Sequence, residues 1–398
     1  MSTPTATLAE LCTFRHGGTP SKSNPAYWGG DIPWVSPKDM KTTLLVGSED
    51  SITPEGVEGS ATSIVPSGSI LTVVRSGILA HTVPFAIAGR PLTFNQDIKA
   101  IQVADPRVRS EYVYWFLRSR EHEILSRGVK KGATVHSLQS GFLEKLPIPL
   151  LPDIEQIRLA DLLSRAESIV RMRQEASRLA KEIIPAMFLD MFGDPATNPK
   201  GWGVRHVGDV IRSAEYGTST KASEDGSGMP VIRMGNVDVT GRLSLADLKY
   251  VVLPEAEQRK YALEAGDILF NRTNSKELVG KTGIWRPSEP AVAASYFIRV
   301  RVNEDTMLPD YFWAFMNTRH MKSVLYSTAR GAIGQSNINA QELRALAIPC
   351  PPTSLQQTFA RRTADALDLE QQQRRASETG QSTFQSLLAG VFSVGCAT

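Results

Sequence analysis

The chain has 398 residues, 41% hydrophobic and 21% charged, which excludes a disordered or membrane-embedded polypeptide and leaves room for two globular domains. Its formal net charge of +3 lies in one half: the first 199 residues carry 21 Lys+Arg and 21 Asp+Glu, the remainder 23 and 20, so any basic surface is local. The opening MSTPTATLAE lacks the basic flank and apolar run of a signal peptide, and the most apolar stretch, 70–89, is interrupted by Arg75, His81 and Pro84, so no membrane span is expected. Cys12, Cys350 and Cys396 lie far apart, which argues against a disulfide framework and a zinc site; the cytoplasm is the expected compartment.

Residues 1–150 predict a mixed α/β domain, with β-branched runs at 69–74 and 98–103 between turns rich in Gly, Pro and Ser. An amphipathic helix is expected over 110–127, with Tyr112, Trp115, Phe116 and Ile124 on its inner face. Residues 118–131 hold five basic side chains (Arg118, Arg120, Arg127, Lys130, Lys131) against two acidic ones, a solvated helix face unless another feature points to nucleic acid. Pro147, Pro149 and Pro152 then stop the domain, and Asp153-Ile-Glu-Gln156 fits a capping box that starts a long helix within 151–193. Along it Leu159, Leu162, Ala166, Ile169, Arg173, Ala176, Ala180, Ile183 and Met187 recur at steps of three and four, a heptad seam spoiled by Arg173. Pro185 is expected to end or kink this helix.

After a linker at 194–205, residues 206–352 repeat the plan, with strands expected at 267–271 and 295–302 and a helix at 309–327. Pro349, Pro351 and Pro352 lead into Thr353-Ser-Leu-Gln356, a second capping box and a second long helix within 353–398. Its seam reads Phe359, Arg362, Ala366, Leu369, Gln373, Ala376 and Gly380, strengthened toward the C-terminus by Phe384, Leu387, Leu388, Val391 and Phe392.

The two halves therefore follow one pattern at an offset of roughly 200. Gly18, Thr19 and Lys22 align with Gly217, Thr218 and Lys221; Pro66-Ser-Gly-Ser-Ile-Leu matches Glu264-Ala-Gly-Asp-Ile-Leu, with Arg75 and Arg272 shortly after. Gly132-Ala133 matches Gly331-Ala332, and Leu146-Pro-Ile-Pro149 matches Leu346-Ala-Ile-Pro349. The expected fold is mixed α/β: two pseudo-symmetric globular domains, each followed by a long α-helix, the two helices packing as an antiparallel coiled coil. At ~1.5 Å per residue, helices of about 32–38 residues are roughly 50–55 Å long. That length covers on the order of 15 base pairs of duplex DNA, enough for two domains on major grooves about 10 base pairs apart.

Catalytic constellations are missing. The six histidines (His16, His81, His122, His136, His206, His320) show no metal-ligand spacing. Gly280-Lys281-Thr282 ends like a phosphate loop, but Ser275 stands where the first glycine is required. Asp97-Ile-Lys99 and Asp247-Leu-Lys249 have the D-x-K form of a metal-dependent nuclease core without a convincing upstream acid. Asn24-Pro25-Ala26-Tyr27 lacks the second proline of an amino-methyltransferase loop, and there is no G-x-S-x-G elbow.

GGTPSKSNPAYWGGDIPW at 17–34 resembles the opening of a target-recognition domain in the specificity (S) subunit of type I restriction-modification systems. LPIPLLPDIEQ at 146–156 and LDMFGDPATNPKGW at 189–202 are similar to that family's first spacer helix and its junction to the second domain; GDILFNRT at 266–273 and GAIGQSNI at 331–338 are similar to second-domain landmarks. The resemblance covers essentially the whole chain in order, and departs in the polar stretch from Glu370 to Arg375 of the second helix. It implies target-recognition domains at 1–150 and 206–352, with spacer helices at 151–193 and 353–398. It further implies that each domain reads half of a bipartite asymmetric DNA site while the helices fix the gap. Two methyltransferase (M) subunits and motor-nuclease (R) subunits would supply all catalysis, and S-adenosylmethionine, ATP and Mg would bind on them, not here.

DNA-contact candidates follow from chemistry. Lys22 and Lys221 sit after matched Gly-Thr turns; Arg75 and Arg272 follow matched strands and suit the guanine edge; Asn274, Gln335 and Asn236 suit adenine. Lys130, Lys131 and Arg330 precede the matched Gly-Ala and suit phosphate, while Tyr27 and Trp28 could stack on a base or anchor their own loop. Two other readings stay open: an orphan S-like DNA-binding protein of another defence assembly, and a self-contained metal nuclease using Asp97/Lys99 or Asp247/Lys249.

Overall fold

The structure, a computed structural model, describes residues 3–275, 278–287, 289–332 and 335–393. Four helices organise the chain: α1 (Ser110–Ser119), α2 (Asp153–Phe192), α3 (Pro309–Met316) and α4 (Thr353–Ser393). It forms two compact units, residues 1–173 with 376–398 and residues 174–375. The unit boundary therefore cuts both long helices, and each unit holds one α/β domain, the start of its own helix and the end of the other.

In unit 1 a five-stranded sheet runs in the order Cys12–His16, Ile98–Val103, Ile70–Val73, Phe85–Ala88, Leu44–Leu45, antiparallel except for the last pair. Unit 2 keeps four of these strands, all antiparallel: Ile211–Tyr216, Phe297–Val302, Ile268–Asn271 and Thr282–Ile284. The strands at 98–103 and near 70 and 268 meet expectation within a residue. Gly68 and Gly266, matched in sequence, both take positive φ (85° and 93°), the turn conformation that glycine adopts without strain. Each domain also begins and ends at one place. Thr5–Thr7 pairs with Pro147–Pro149, and Val204–His206 with Ala347–Pro349.

Six consecutive residues of α1, Tyr112 to Leu117, are buried, as are six of α3, Tyr311 to Met316. A helix apolar all round needs cover on every side. Its own sheet provides one face and the long helices provide the other. In unit 1, Phe392 of α4 lies 5.6 Å from Tyr112 and 5.7 Å from Phe116, and Phe384 lies 6.0 Å from Trp115. Leu163 and Val170 of α2 join the same core. In unit 2, Phe192 of α2 sits 4.7 Å from Tyr311 and 5.2 Å from Phe359 of α4, with Phe188 stacked on Tyr311 at 5.5 Å. The start of each long helix thus packs with the end of the other, which makes the pair antiparallel.

The expected capping boxes are not formed by the glutamines. Gln156 is fully buried, and its amide donates to Arg107 O (2.7 Å) and Leu151 O (2.9 Å) while accepting from Arg109 N (2.9 Å). Gln356, also fully buried, repeats the pattern with Thr306 O, Pro351 O and Leu308 N. Each glutamine clasps the loop before α1 or α3 to the start of the long helix. Beside it Tyr112 and Tyr311 donate to Pro149 O and Pro349 O, both at 2.9 Å. Further along, Glu167 accepts from Thr43 (2.6 Å) and Arg118 (3.2 Å), and Glu370 pairs with Arg242, whose guanidinium lies 4.8 Å over Trp313.

Several local expectations are corrected. The helices at 110–127 and 309–327 each break, after Ser119 and after Met316. In unit 2 Asn317 turns its amide to Thr282 O and Thr318 caps a new helix, Arg319–Thr328. Pro185 does not end α2, which continues to Phe192 because Phe188, Met191 and Phe192 are held in the core of unit 2. Of the expected seam, Phe359 and Ala366 are buried, and Leu159, Ala166 and Leu387 pack partly buried, while Ala176 is half-buried. Leu162, Ile169, Ile183 and Leu369 are exposed instead, and Leu163, Val170 and Ile184 take their place. Leu159, Ala166 and Ala180 keep the places the heptad count gives them, so only the row at 162, 169 and 183 is displaced, by one residue.

Phe392→Ala should cost unit 1 about 3–5 kcal/mol, as for other buried Phe→Ala changes. Hydrogen exchange would accelerate at Tyr112 to Leu117 and stay unchanged at Tyr311 to Met316. Equal acceleration in both stretches would contradict this packing.

Candidate nucleic-acid interface

In each unit a buried central strand runs out of the main sheet into a small three-stranded one. In unit 1 this joins Arg75–Ser76, His136–Leu138 and Val129–Lys130, with the middle strand central. In unit 2 it joins Thr273–Asn274, Gln335–Asn337 and Arg330–Ala332. The two share their strand order and the bond that ties the middle strand to the core strand: Leu138 N donates to Val74 O at 2.8 Å, and Ile338 N to Arg272 O at 2.9 Å. Candidates 55 or more residues apart in sequence are thereby gathered. Arg75 and Lys130 share one small sheet, with Lys131 directly after it; Asn274, Arg330 and Gln335 share its copy, with Arg272 directly before it.

Arg75, Lys130 and Lys131 are exposed. The side chains of Arg330 and Gln335 lie outside the described residues. Asn274 is half-buried and accepts from Ser275 N at 2.9 Å. Of the five basic residues at 118–131, Arg118 is drawn inward to Tyr114 and Glu167, and Arg127 pairs with Glu123 at 2.9 Å. The run is therefore no continuous basic face.

Lys22 and Lys221 are exposed on the loops that leave the edge strands at Gly17 and Gly217. Those glycines are the true structural pair. A Cβ would fall 2.2 Å from Asn95 O at Gly17 and 2.1 Å from Ala293 O at Gly217, so the alignment of Gly18 with Gly217 is corrected by one residue. Trp28 donates to Ser21 O at 3.1 Å and meets Trp34 edge-on at 5.1 Å; the Tyr27 ring lies against Gly59, where a Cβ would fall 2.5 Å from its hydroxyl. Both half-buried rings thus sit in the packing of their own loop.

Asn236 is buried, accepts from Arg233 N at 2.9 Å and donates to Ser244 O and Asp247 O at 3.1 and 3.0 Å. Its hydrogen-bonding capacity is spent on holding the 233–247 loop, not offered to a base. Lys281 and Lys322 also turn inward, to Met234 O, Val237 O and Gly280 O. Burial lowers both ammonium pKa values, that of Lys322 to about 8 with the neighbouring Lys281 adding to the shift. The nuclease-like triplets are engaged elsewhere. Lys99 is buried 3.6 Å from Glu144, Asp247 pairs with Arg233 at 3.0 Å, and Lys249 pairs with Glu224 at 2.8 Å. Among the described residues no group of three or more His, Cys, Asp or Glu is placed to hold a metal ion.

Two aromatics escaped the sequence reading. Tyr216 and Tyr296 are 44% and 43% exposed; the Arg272 guanidinium lies 4.7 Å over the Tyr216 ring, and Arg272 N donates to Tyr296 O at 2.9 Å. The signal was present: Tyr216 directly precedes the matched glycine, where the first copy carries His16.

Asn236→Ala should leave base preference untouched and destabilise unit 2 by about 2 kcal/mol, because it strands buried backbone groups. Urea unfolding followed in parallel with DNA selection tests this. An altered motif without loss of stability would return Asn236 to the interface.

Against known proteins, residues 4–178 and 199–376 match the family described as type I restriction modification DNA specificity domain. Over 178 residues, 44% of this chain and 43% of the relative, the chain is 39% identical to the type I restriction enzyme EcoR124I/EcoR124II specificity subunit of Escherichia coli. Over 263 residues, 58% of this chain and 60% of the relative, it is 28% identical to the type I restriction enzyme MjaIX specificity subunit of Methanocaldococcus jannaschii. The aligned stretches thus span about half the length of these relatives. Among solved structures, the type I restriction-modification S subunit from M. genitalium gives a TM-score of 0.60 at 13% identity, over 98% of this chain and 96% of that one. A chain from a study of type I R-M complex assembly and conformational transition gives 0.58 at 15% identity, over 99% and 98%. These two likenesses are of fold. With a match in each half that together covers most of its length, the chain belongs to the type I restriction modification DNA specificity domain family.

Proposed function

We propose that this chain is the DNA sequence-specificity subunit of a type I restriction-modification complex. Each unit reads one half of a bipartite, asymmetric site through its small sheet and adjoining loops, and the paired helices set the gap. The observation that carries this reading is the duplicated small sheet, which brings Arg75 and Lys130 onto one sheet and Asn274, Arg330 and Gln335 onto its copy, at the same place in each unit. Two diverged copies of one reader suit two different half-sites.

The chain acts without catalysis of its own. The methyltransferase subunits supply S-adenosylmethionine chemistry, and the motor-nuclease subunits supply ATP- and Mg-dependent cleavage, all in the cytoplasm. Docking of the two methyltransferase subunits is supported by a second apolar stripe on α2, away from the buried seam. Ile154, Ile157, Leu162, Ile169 and Met172 are exposed along its first part, and Leu179, Ile183 and Leu189 along its last. Exposed apolar rows of this size mark association surfaces. No described helix is long and apolar enough to cross a membrane.

The test is co-expression with the methyltransferase subunit in a host lacking DNA methylation, followed by mapping of modified bases. The expected result is one split asymmetric motif with methyladenine in both halves. Absence of methylation, with the same methyltransferase active beside another specificity subunit, would overturn the proposal.

A further inference from the structure

The duplication provides an internal reference for what the fold itself requires. Strand registers place Val73 of unit 1 at the position of Asn271 in unit 2, Val74 at Arg272, and His16 at Tyr216. The backbone bonds around these positions are the same in both copies, as Leu138 N to Val74 O and Ile338 N to Arg272 O show. Two valines therefore satisfy the scaffold. The second copy nevertheless carries two polar residues there, at a cost. Asn271 is 0% exposed with neither amide atom hydrogen-bonded, and Arg272 Nε is buried without an acceptor among the described residues. Buried polar groups left unpaired are unfavourable, and native structures retain few of them without a function.

The setting of Arg272 shows what kind of partner would satisfy it. Its guanidinium lies 4.7 Å over the Tyr216 ring, at the point where the buried strand emerges beside the exposed Tyr216 and Tyr296. A guanidinium placed over an aromatic face still has N–H donors for a paired acceptor, and it has lost much of its side-chain freedom before binding. A flexible exposed lysine suits a phosphate; a braced, partly desolvated arginine suits the adjacent O6 and N7 acceptors of guanine.

We infer that Arg272, braced on Tyr216, is a specificity-determining residue that reads a guanine in the half-site of unit 2, where the same position of unit 1, Val74, makes no such contact. This rests on the DNA-reading function proposed above and adds the base and the residues.

The experiment uses the full chain, co-purified with its methyltransferase subunit, to select from a randomised duplex DNA library. Arg272→Val installs the residue that the first copy already carries at this place, so folding is expected to survive. Enrichment of one guanine should fall about 5- to 150-fold in one half-site, with the other half-site unchanged. Arg272→Lys, which keeps the charge and loses the planar fork, should show the same loss while retaining affinity for unselected DNA. Tyr216→Leu should weaken preference at that same guanine. A uniform loss across all sequences would make Arg272 a phosphate contact and overturn the inference, as would an unchanged motif; either leaves the general function standing. A wild-type complex that selects no motif would overturn both.

Discussion

Neither α/β domain completes its own core. The buried tyrosine of its packing helix, Tyr112 or Tyr311, is covered by a phenylalanine from the far end of the other copy's long helix, Phe392 or Phe192. A helix with six consecutive buried residues would otherwise leave a broad apolar face in water, at roughly 1.5–3 kcal/mol for each large side chain. The reciprocal exchange removes that penalty twice and makes helix pairing a condition of each unit's stability. Gln156 and Gln356 then fix where each domain sits along its helix, and Glu167 and Glu370 hold the neighbouring loops. The position of each small sheet on its supporting helix follows from these contacts.

The same duplication separates what the scaffold requires from what varies between the copies. What recurs in both copies is backbone closure and packing: the clasping glutamines, the tyrosine bonds to Pro149 and Pro349, the positive-φ glycines and the tight glycines at 17 and 217. What differs lies where the central strand leaves the core, with Val73, Val74 and His16 in one unit and Asn271, Arg272 and Tyr216 in the other. A reader of two different half-sites needs this pattern, since its frame must match and its contacts must not.

Much of the architecture was legible in the sequence because it is written in strong, repeated signals. Paired proline exits, matched glycines and two long helical stretches give the domain plan, the helix starts and the antiparallel pairing. The second row of the α2 seam was not legible, because the helix carries apolar residues on two faces. A heptad count cannot tell Leu163, Val170 and Ile184, which meet the core, from Leu162, Ile169 and Ile183, which do not. Glutamine at the fourth position of each tetrad was visible, but two of its three partners lie 47 to 50 residues back, so a local capping rule stood in for a long-range clasp. At the interface, spacing alone did not reveal that Asn236 is consumed inside its loop. Pairing the two copies residue by residue would have revealed Tyr216.

The claim at the centre of this account is that each unit carries its own reading surface on a shared frame. It is tested most directly by exchanging residues 4–150 for the corresponding stretch of another family member and selecting DNA with the chimera beside its methyltransferase subunit. The expected outcome is a motif with one half replaced, the other half retained and the gap unchanged. Replacement of both halves, or a chimera that folds yet selects with altered preference on both sides, would contradict it.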